Sequence, residues 1–402
     1  MSTLLMIYSK TNMDFGLVWY FLFLKKKSAI DIYFFDLQQM LTMHEFNAET
    51  TTKLYRAEYK QAKAELEKEF NVALQEAKKI YDSHYDPTSE NDEESHYLAS
   101  YESGHDEIEQ NHQIDDEQLT YRFSTMADYF NKSSLVITYA MFENQLRRYC
   151  DLLRLIFGKR LSVEDLDDRN YVKTCLNYLE KVIEVDIKSL EYLETKFKDL
   201  QYLRNRIMHN GGEFHEGKNE DLERIINASN GSLELIKSQE PYEEFKEDVE
   251  NKLPKLNLLR VKKNEYLHQY FGIIAVFFQE LLWLTDAKLK YKILKQRLLF
   301  LLGFSSKRLK IIDIKVVHIA KGRQVKASLF SDDITDAIKF NCTITITRAN
   351  KNQLTIINQI DGHSKLTRLV DHLNSRPEII FDEIFQGFNL SSKSQNFNII
   401  FY

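Results

Sequence analysis

With 3 cysteines, 4 prolines and 12 glycines in 402 residues, the chain is short of the residues that staple, kink and turn a backbone. Cys150, Cys175 and Cys342 lie far apart with no C-x-x-C spacing. That excludes a disulfide framework and a zinc knuckle, and predicts reduced core thiols in a cytoplasmic protein. Scarce Pro and Gly argue against a turn-rich sandwich or barrel and favour long helices. Neither a G-x-S-x-G elbow, nor a phosphate-cradling glycine loop, nor an internal repeat is present, so serine-hydrolase and P-loop chemistry are not indicated. The longest apolar run near the start, Phe15 to Leu24, is well short of the roughly 20 residues of a spanning helix. It is followed, not preceded, by Lys25-Lys26-Lys27, the reverse of a secretory signal, so no membrane partner is expected. Residues 1–42 read as an N-terminal extension that translation from Met43 would omit.

What is present is ordinary in bulk and uneven in detail. A composition of 43% hydrophobic and 28% charged residues suits a globular protein of two domains or more. The net charge of -6 hides an asymmetry. Between Asp86 and Thr120 stand twelve acids and no Lys or Arg, whereas Ala287 to Lys326 holds twelve Lys or Arg against the single acid Asp313. Such contrast points the basic part toward a polyanion, with two solvated faces as the plainer alternative.

Apolar periodicity organises the rest. An amphipathic helix spans residues 45–81, through Leu54, Tyr59, Leu66 and Phe70. The acidic segment after it lacks helical or strand periodicity and reads as a mobile linker. Leu135, Tyr139, Phe142, Leu146, Tyr149, Leu153 and Ile156 stripe one helix, which Gly158 ends. A shorter helix is predicted over 171–182, and a third carries Leu193, Phe197, Leu200, Leu203 and Ile207 before the stop Asn210-Gly211-Gly212. Residues 213–259 read as an irregular excursion with a short helix at 220–227, and 264–287 as a fourth bundle helix. Beyond lie β-branched runs at 311–319, 343–347 and 354–360, then helical patterns at 363–374 and 378–385. The predicted fold is mainly α: an antiparallel helical bundle at 121–287, an N-terminal helical extension with helix and acidic linker at 43–120, and a basic segment with a small α+β appendage at 288–402.

The residues with most chemical promise are Arg204 and His209. An imidazole can take the proton of a ribose 2′-hydroxyl or return one to a leaving oxygen, and a guanidinium fork matches a phosphate. Five positions on a continuous helix separate them by about 140°, so an unwinding at His209 is expected if both are to enter one groove. With 17 Arg and 11 His in the chain, the spacing alone carries little; the helix end, Asn205 and the glycine pair strengthen it. Leu203-Arg204-Asn205-Arg206-Ile207-Met208-His209-Asn210-Gly211-Gly212 resembles the R-N-x-x-x-H signature of the HEPN superfamily, as found in abortive-infection proteins and ribonuclease toxins. The helix containing Tyr139-Ala140-Met141-Phe142-Glu143-Asn144-Gln145-Leu146 is similar to the first long helix of such proteins. The resemblance covers the bundle and not its flanks.

It implies a metal-independent endoribonuclease with Arg204 and His209 as catalytic pair, Asn205 in support, no cofactor, and two protomers forming one cleft. A role in phage defence or as a toxin follows, with RNA, a second copy and an antitoxin or regulatory protein as partners. Lys288, Lys290, Lys292, Lys295, Arg297, Lys307, Arg308 and Lys310 are expected to hold the RNA backbone. The alternative is a non-catalytic HEPN-type adaptor that binds a partner protein, RNA or nucleotide. Structurally plainer readings are that Arg204 pairs with Asp199 or Glu194 and that His209 serves the helix dipole. His363 and His372 with Asp361 and Asp371 fit no compact metal motif, and His84, His96, His105 and His112 fall in the segment read as solvated linker.

Overall fold

The structure is a computed structural model, and it describes residues 29–85, 92–166, 170–215, 219–237, 256–303, 309–319, 322–333, 336–347, 351–357 and 396–401. The chain is mainly α. Its helices are α1 (Ala29–His84), α2 (Asp92–Ser103), α3 (His105–Ile156), α4 (Tyr171–Lys181), α5 (Glu191–Asn210), α6 (Glu220–Ala228), α7 (Glu265–Lys288) and α8 (Lys292–Gly303). The strands are β1 (Glu213–His215), β2 (Leu233–Lys237), β3 (Leu256–Val261), β4 (Leu309–Ile319), β5 (Gly322–Asp333), β6 (Asp336–Thr347), β7 (Lys351–Ile357) and β8 (Asn396–Phe401). Two compact units interleave along the chain. The first takes residues up to Thr42, Phe142–Glu194 and Gly272 onward; the second takes Met43–Met141 and Thr195–Phe271.

In the second unit, the acidic segment expected as a mobile linker is helical instead. It forms α2 and the start of α3, which return antiparallel along α1. Tyr81 meets His96 edge-on at 5.5 Å, Phe70 stacks on His112 at 3.9 Å, and the Tyr59 and Thr120 hydroxyls lie 3.1 Å apart. Lys63 pairs with Asp116 at 3.0 Å. The partner residue falls as the α1 residue rises, the signature of a helical hairpin. Its inward contacts are rings and imidazoles rather than a Leu stripe, which is why the segment shows no apolar period of its own. Gly104, at φ 61, separates α2 from α3, a left-handed position where a side chain is strained.

The stretch 213–259 contains the short helix expected there, α6, and, where irregular chain was expected, the three-stranded antiparallel sheet β1-β3-β2. Val261 ties the central strand to α3: its N–H donates to Asp128 Oδ1 at 2.7 Å and its carbonyl accepts from Asn131 Nδ2 at 2.8 Å. Lys132 pairs with Asp128 at 2.8 Å, both buried.

The first unit packs around rings. Phe34, Phe142, Tyr149 and Phe278 are fully buried, and Phe142 and Tyr149 both meet Phe278 edge-on. Edge-to-face contacts of this kind add about 0.5–1.5 kcal/mol each beyond area burial. Tyr33 donates to the Gln145 carbonyl at 2.9 Å and Tyr149 to Thr285 Oγ1 at 3.0 Å. The first turns of α1 therefore belong to a core. Asp286 caps α8, accepting from the N–H groups of Ile293 and Leu294 at 2.9 and 3.2 Å. Sheet β4-β5-β6-β7-β8 is antiparallel except for the parallel pair β7/β8. Arg323 on β5 pairs with Glu280 and lies 4.9 Å from the Trp283 ring. Cys150 and Cys175 are buried free thiols, as predicted; the Cys342 side chain and the helical patterns at 363–374 and 378–385 lie outside the described residues.

Among the described residues, one helix is long and apolar enough to cross a bilayer, α7, with 61% of its apolar window buried in the protein. That burial accounts for its apolarity. The run Phe15 to Leu24 lies outside the described residues.

Candidate active site

α5 is built as its pattern predicts. Leu193, Phe197, Leu200 and Leu203 recur at helical spacing and are at most 5% exposed. Glu191 and Glu194 occupy the first turn and His209 the last, each on the side of the helix dipole that favours it. The stop is also as predicted: Gly211 and Gly212 have φ 63 and 90. Gly212 donates its N–H to the Arg206 carbonyl at 3.2 Å and accepts from the Leu259 N–H at 2.8 Å. This turn fixes the end of the helix against β3.

The helix does not unwind at His209, contrary to expectation; it continues through Asn210. His209 therefore keeps its helical direction, about 140° around the axis from Arg204, and is exposed, with no polar partner among the described residues. The cause lies one residue later, where the two glycines absorb the change of direction. Arg204 is half-buried. Its Nη1 donates to Asn205 Oδ1 at 2.9 Å, and its guanidinium carbon lies 5.9 Å from the centroid of Tyr139, a ring 2% exposed. Arg204 Nε is buried without a hydrogen-bond partner. A guanidinium has five donors, and the hydrogen bond to Asn205 engages one of them. The structure thus brings Arg204 and Asn205 together and leaves His209 apart from both.

Asp199, one candidate partner of Arg204, is taken by Arg224 of α6, whose Nη1 donates to Oδ2 at 3.0 Å. That bond raises the Arg224 guanidinium further above its usual range. Beside it, Tyr270 donates to the Lys196 carbonyl at 3.1 Å, and its hydroxyl lies 3.3 Å from that of Tyr266. Burial pushes the Tyr266 hydroxyl up to about 12 and that of Tyr270 higher, so both stay protonated. Tyr139 and Arg224 were not recognisable as parts of this arrangement. Tyr139 showed only as one position in an apolar stripe, and a signal for either requires knowing which helices touch.

The predicted phosphate-holding set divides. Arg297 is corrected: it is 8% exposed and ion-paired with Asp31, so it serves the core of the first unit. Lys288 holds the Glu184 carbonyl and carboxylate, both at 3.0 Å. Lys290 and Lys292 are exposed and Lys295 half-buried. Lys307, Arg308 and the side chain of Lys310 lie outside the described residues, as do His363, His372, Asp361 and Asp371. His112 is half-buried and stacks on Phe70 in the helical hairpin, whereas His96 touches the Tyr81 ring but stays exposed.

Comparison with protein-family models, with characterised proteins and with solved structures finds no match.

Proposed function

We propose that the chain is a metal-independent endoribonuclease of the HEPN kind, acting in phage defence or growth arrest. The observation that carries this reading is Arg204, held half-buried by Asn205 and the Tyr139 ring with donors to spare, on the same short helix segment as an exposed His209. His209 takes the proton of a ribose 2′-hydroxyl. The freed oxygen attacks the adjacent phosphorus, the bond from phosphorus to the 5′-oxygen breaks as that oxygen takes back the proton from the imidazolium, and a 2′,3′-cyclic phosphate remains. Arg204 offsets the charge that grows on the phosphoryl oxygens. The resemblance implies two protomers forming one cleft, and because the two side chains diverge on a continuous helix, one chain supplies Arg204 to that cleft and a second copy supplies His209. The exposed Met208, 55% accessible, gives the helix end an apolar contact for that pairing.

The test is cleavage of transfer RNA and total RNA in excess EDTA by the wild-type chain, Arg204→Ala and His209→Ala. Cyclic phosphate ends from the wild type alone support the proposal. Mixing the two variants should restore part of the activity, since a heterodimer retains one intact composite cleft. A folded dimer that never cleaves, and whose biological effect survives His209→Ala, is an adaptor instead. RNA affinity should fall steeply with salt and less steeply in Lys290→Glu/Lys292→Glu; an unchanged slope removes these lysines from the RNA surface.

A further inference from the structure

Away from Arg204, three metal-ligating side chains converge in the second unit. Glu45 and Glu49 stand one turn apart on α1, and His268 comes from the first turn of α7. His268 Nδ1 lies 3.4 Å from Glu45 Oε1, and one ligand atom from each of the three lies within 4.8 Å of the others. All three are half-buried.

Two carboxylates this close repel unless they share a cation or a proton. The other cation beside them is Lys53, with Nζ 3.7 Å from Glu49 Oε2, but its side chain is 78% exposed, and such a pair contributes little. An ion with bonds of about 2.1 Å to N and O sets its tetrahedral ligands about 3.4 Å apart. The His268–Glu45 separation already meets that spacing, and rotation of the Glu49 side chain closes the rest.

The frame that holds these ligands does not depend on an ion. Asn264, one turn before His268, donates to the Ala48 carbonyl at 3.2 Å and to Thr52 Oγ1, on the face of α1 that carries the glutamates. Phe271 meets the His268 ring edge-on at 6.0 Å and the His44 ring at 5.3 Å. His44 is committed elsewhere, with Nε2 3.1 Å from Thr138 Oγ1. The ligand-bearing turns of α1 and α7 are therefore positioned in advance.

We infer that Glu45, Glu49 and His268 form a binding site for one divalent first-row transition ion, which clamps α1 to α7. The imidazole selects against Ca²⁺ and Mg²⁺, which prefer all-oxygen shells, and three protein ligands leave a position for water. The role is structural and separate from RNA cleavage, so it stands whether or not the chain is a nuclease.

The test titrates tag-free, chelator-stripped full-length protein with Zn²⁺ by calorimetry and follows the melting temperature with Zn²⁺, Mn²⁺ or Ca²⁺. Zn²⁺ should bind with one equivalent per chain and raise the melting temperature, and Ca²⁺ should do neither. His268→Ala and the isosteric Glu49→Gln should each weaken Zn²⁺ at least about tenfold, while His105→Ala, a half-buried imidazole outside the cluster, leaves it unchanged. Glu49→Gln carries the test if His268→Ala does not fold. No Zn²⁺ binding by the wild type, or equal affinity in the cluster variants, overturns the proposal.

Discussion

Arg224→Ala should cost more stability than Asp199→Asn, although both break the same ion pair. Asp199 is the buried partner, with its side chain 7% exposed, whereas that of Arg224 is 49% exposed. Removing Arg224 strands a carboxylate beneath α6, close to the buried Tyr266 and Tyr270. Breaking a fully buried pair costs about 3–5 kcal/mol; discounting for the half-exposed arginine leaves about 2 kcal/mol. Removing the carboxylate leaves a guanidinium that water still reaches, and the amide oxygen that Asp199→Asn introduces can accept one of its bonds, so about 1 kcal/mol is expected. Joining Asp199→Asn to Arg224→Ala should then recover part of the loss, since no charge remains buried. Hydrogen exchange by mass spectrometry is the suitable assay, because it reads α5 and α6 directly, whereas Trp283 reports on the first unit. A loss of about 2 kcal/mol speeds exchange in those helices about 30-fold. If Arg224→Ala exchanges no faster than Asp199→Asn, or the double variant is worse than either, the reasoning from burial is wrong.

Other consequences can be measured separately. Gly212→Ala should destabilise by about 2 kcal/mol and Gly211→Ala by about 1. Both have positive φ, but only at Gly212 would a Cβ also come within 3.3 Å of Lys132; equal losses in urea unfolding would refute the ranking. Burial raises the Asp286 carboxyl from 3.8 to about 6, only partly offset by its N–H donors. The folded state thus favours the protonated form, and this contribution is full below pH 3.8 and lost as pH rises through 6. The stability of wild type relative to Asp286→Asn should fall by up to about 3 kcal/mol from pH 4 to pH 7, and a flat difference would contradict the burial argument. A chain starting at Met43 lacks Ile30, Tyr33, Phe34, Leu37 and Leu41, each at most 8% exposed. At about 2–5 kcal/mol for each large side chain removed, the first unit should not fold, and Trp283 emission should match that of denatured protein; native-like emission would count against that core.

Legibility followed the range of the interactions. α5 could be read because its stripe, its acidic first turn and its Gly-Gly stop lie within a few residues of one another. The acidic return of the hairpin could not, because its order comes from contacts such as Phe70 with His112 and Lys63 with Asp116, more than forty residues apart. The sheet β1-β3-β2 hid for a similar reason: five-residue β2 acquires its meaning only from Leu235 opposite Leu259. α8 and β5 carry cations that hide an apolar pattern, since Ile293 and Leu294 of α8 and Val325 and Ala327 of β5 are buried.

Charge itself misled in a specific way. Arg297 and Lys292 are equivalent as members of a basic run, yet one is enclosed with Asp31, 266 residues away, and the other faces water. A count of cations fixes the sign of a segment but not which of its charges are available to a phosphate. The same reasoning bears on Arg204. Its neighbour in sequence, Asn205, could be read as a partner, but the ring of Tyr139 and the loss of Asp199 to Arg224 could not. Among the described residues no carboxylate pairs with the guanidinium, and it is half-buried. The proposed phosphate-binding role therefore rests on the surroundings of Arg204 more than on the spacing of the motif.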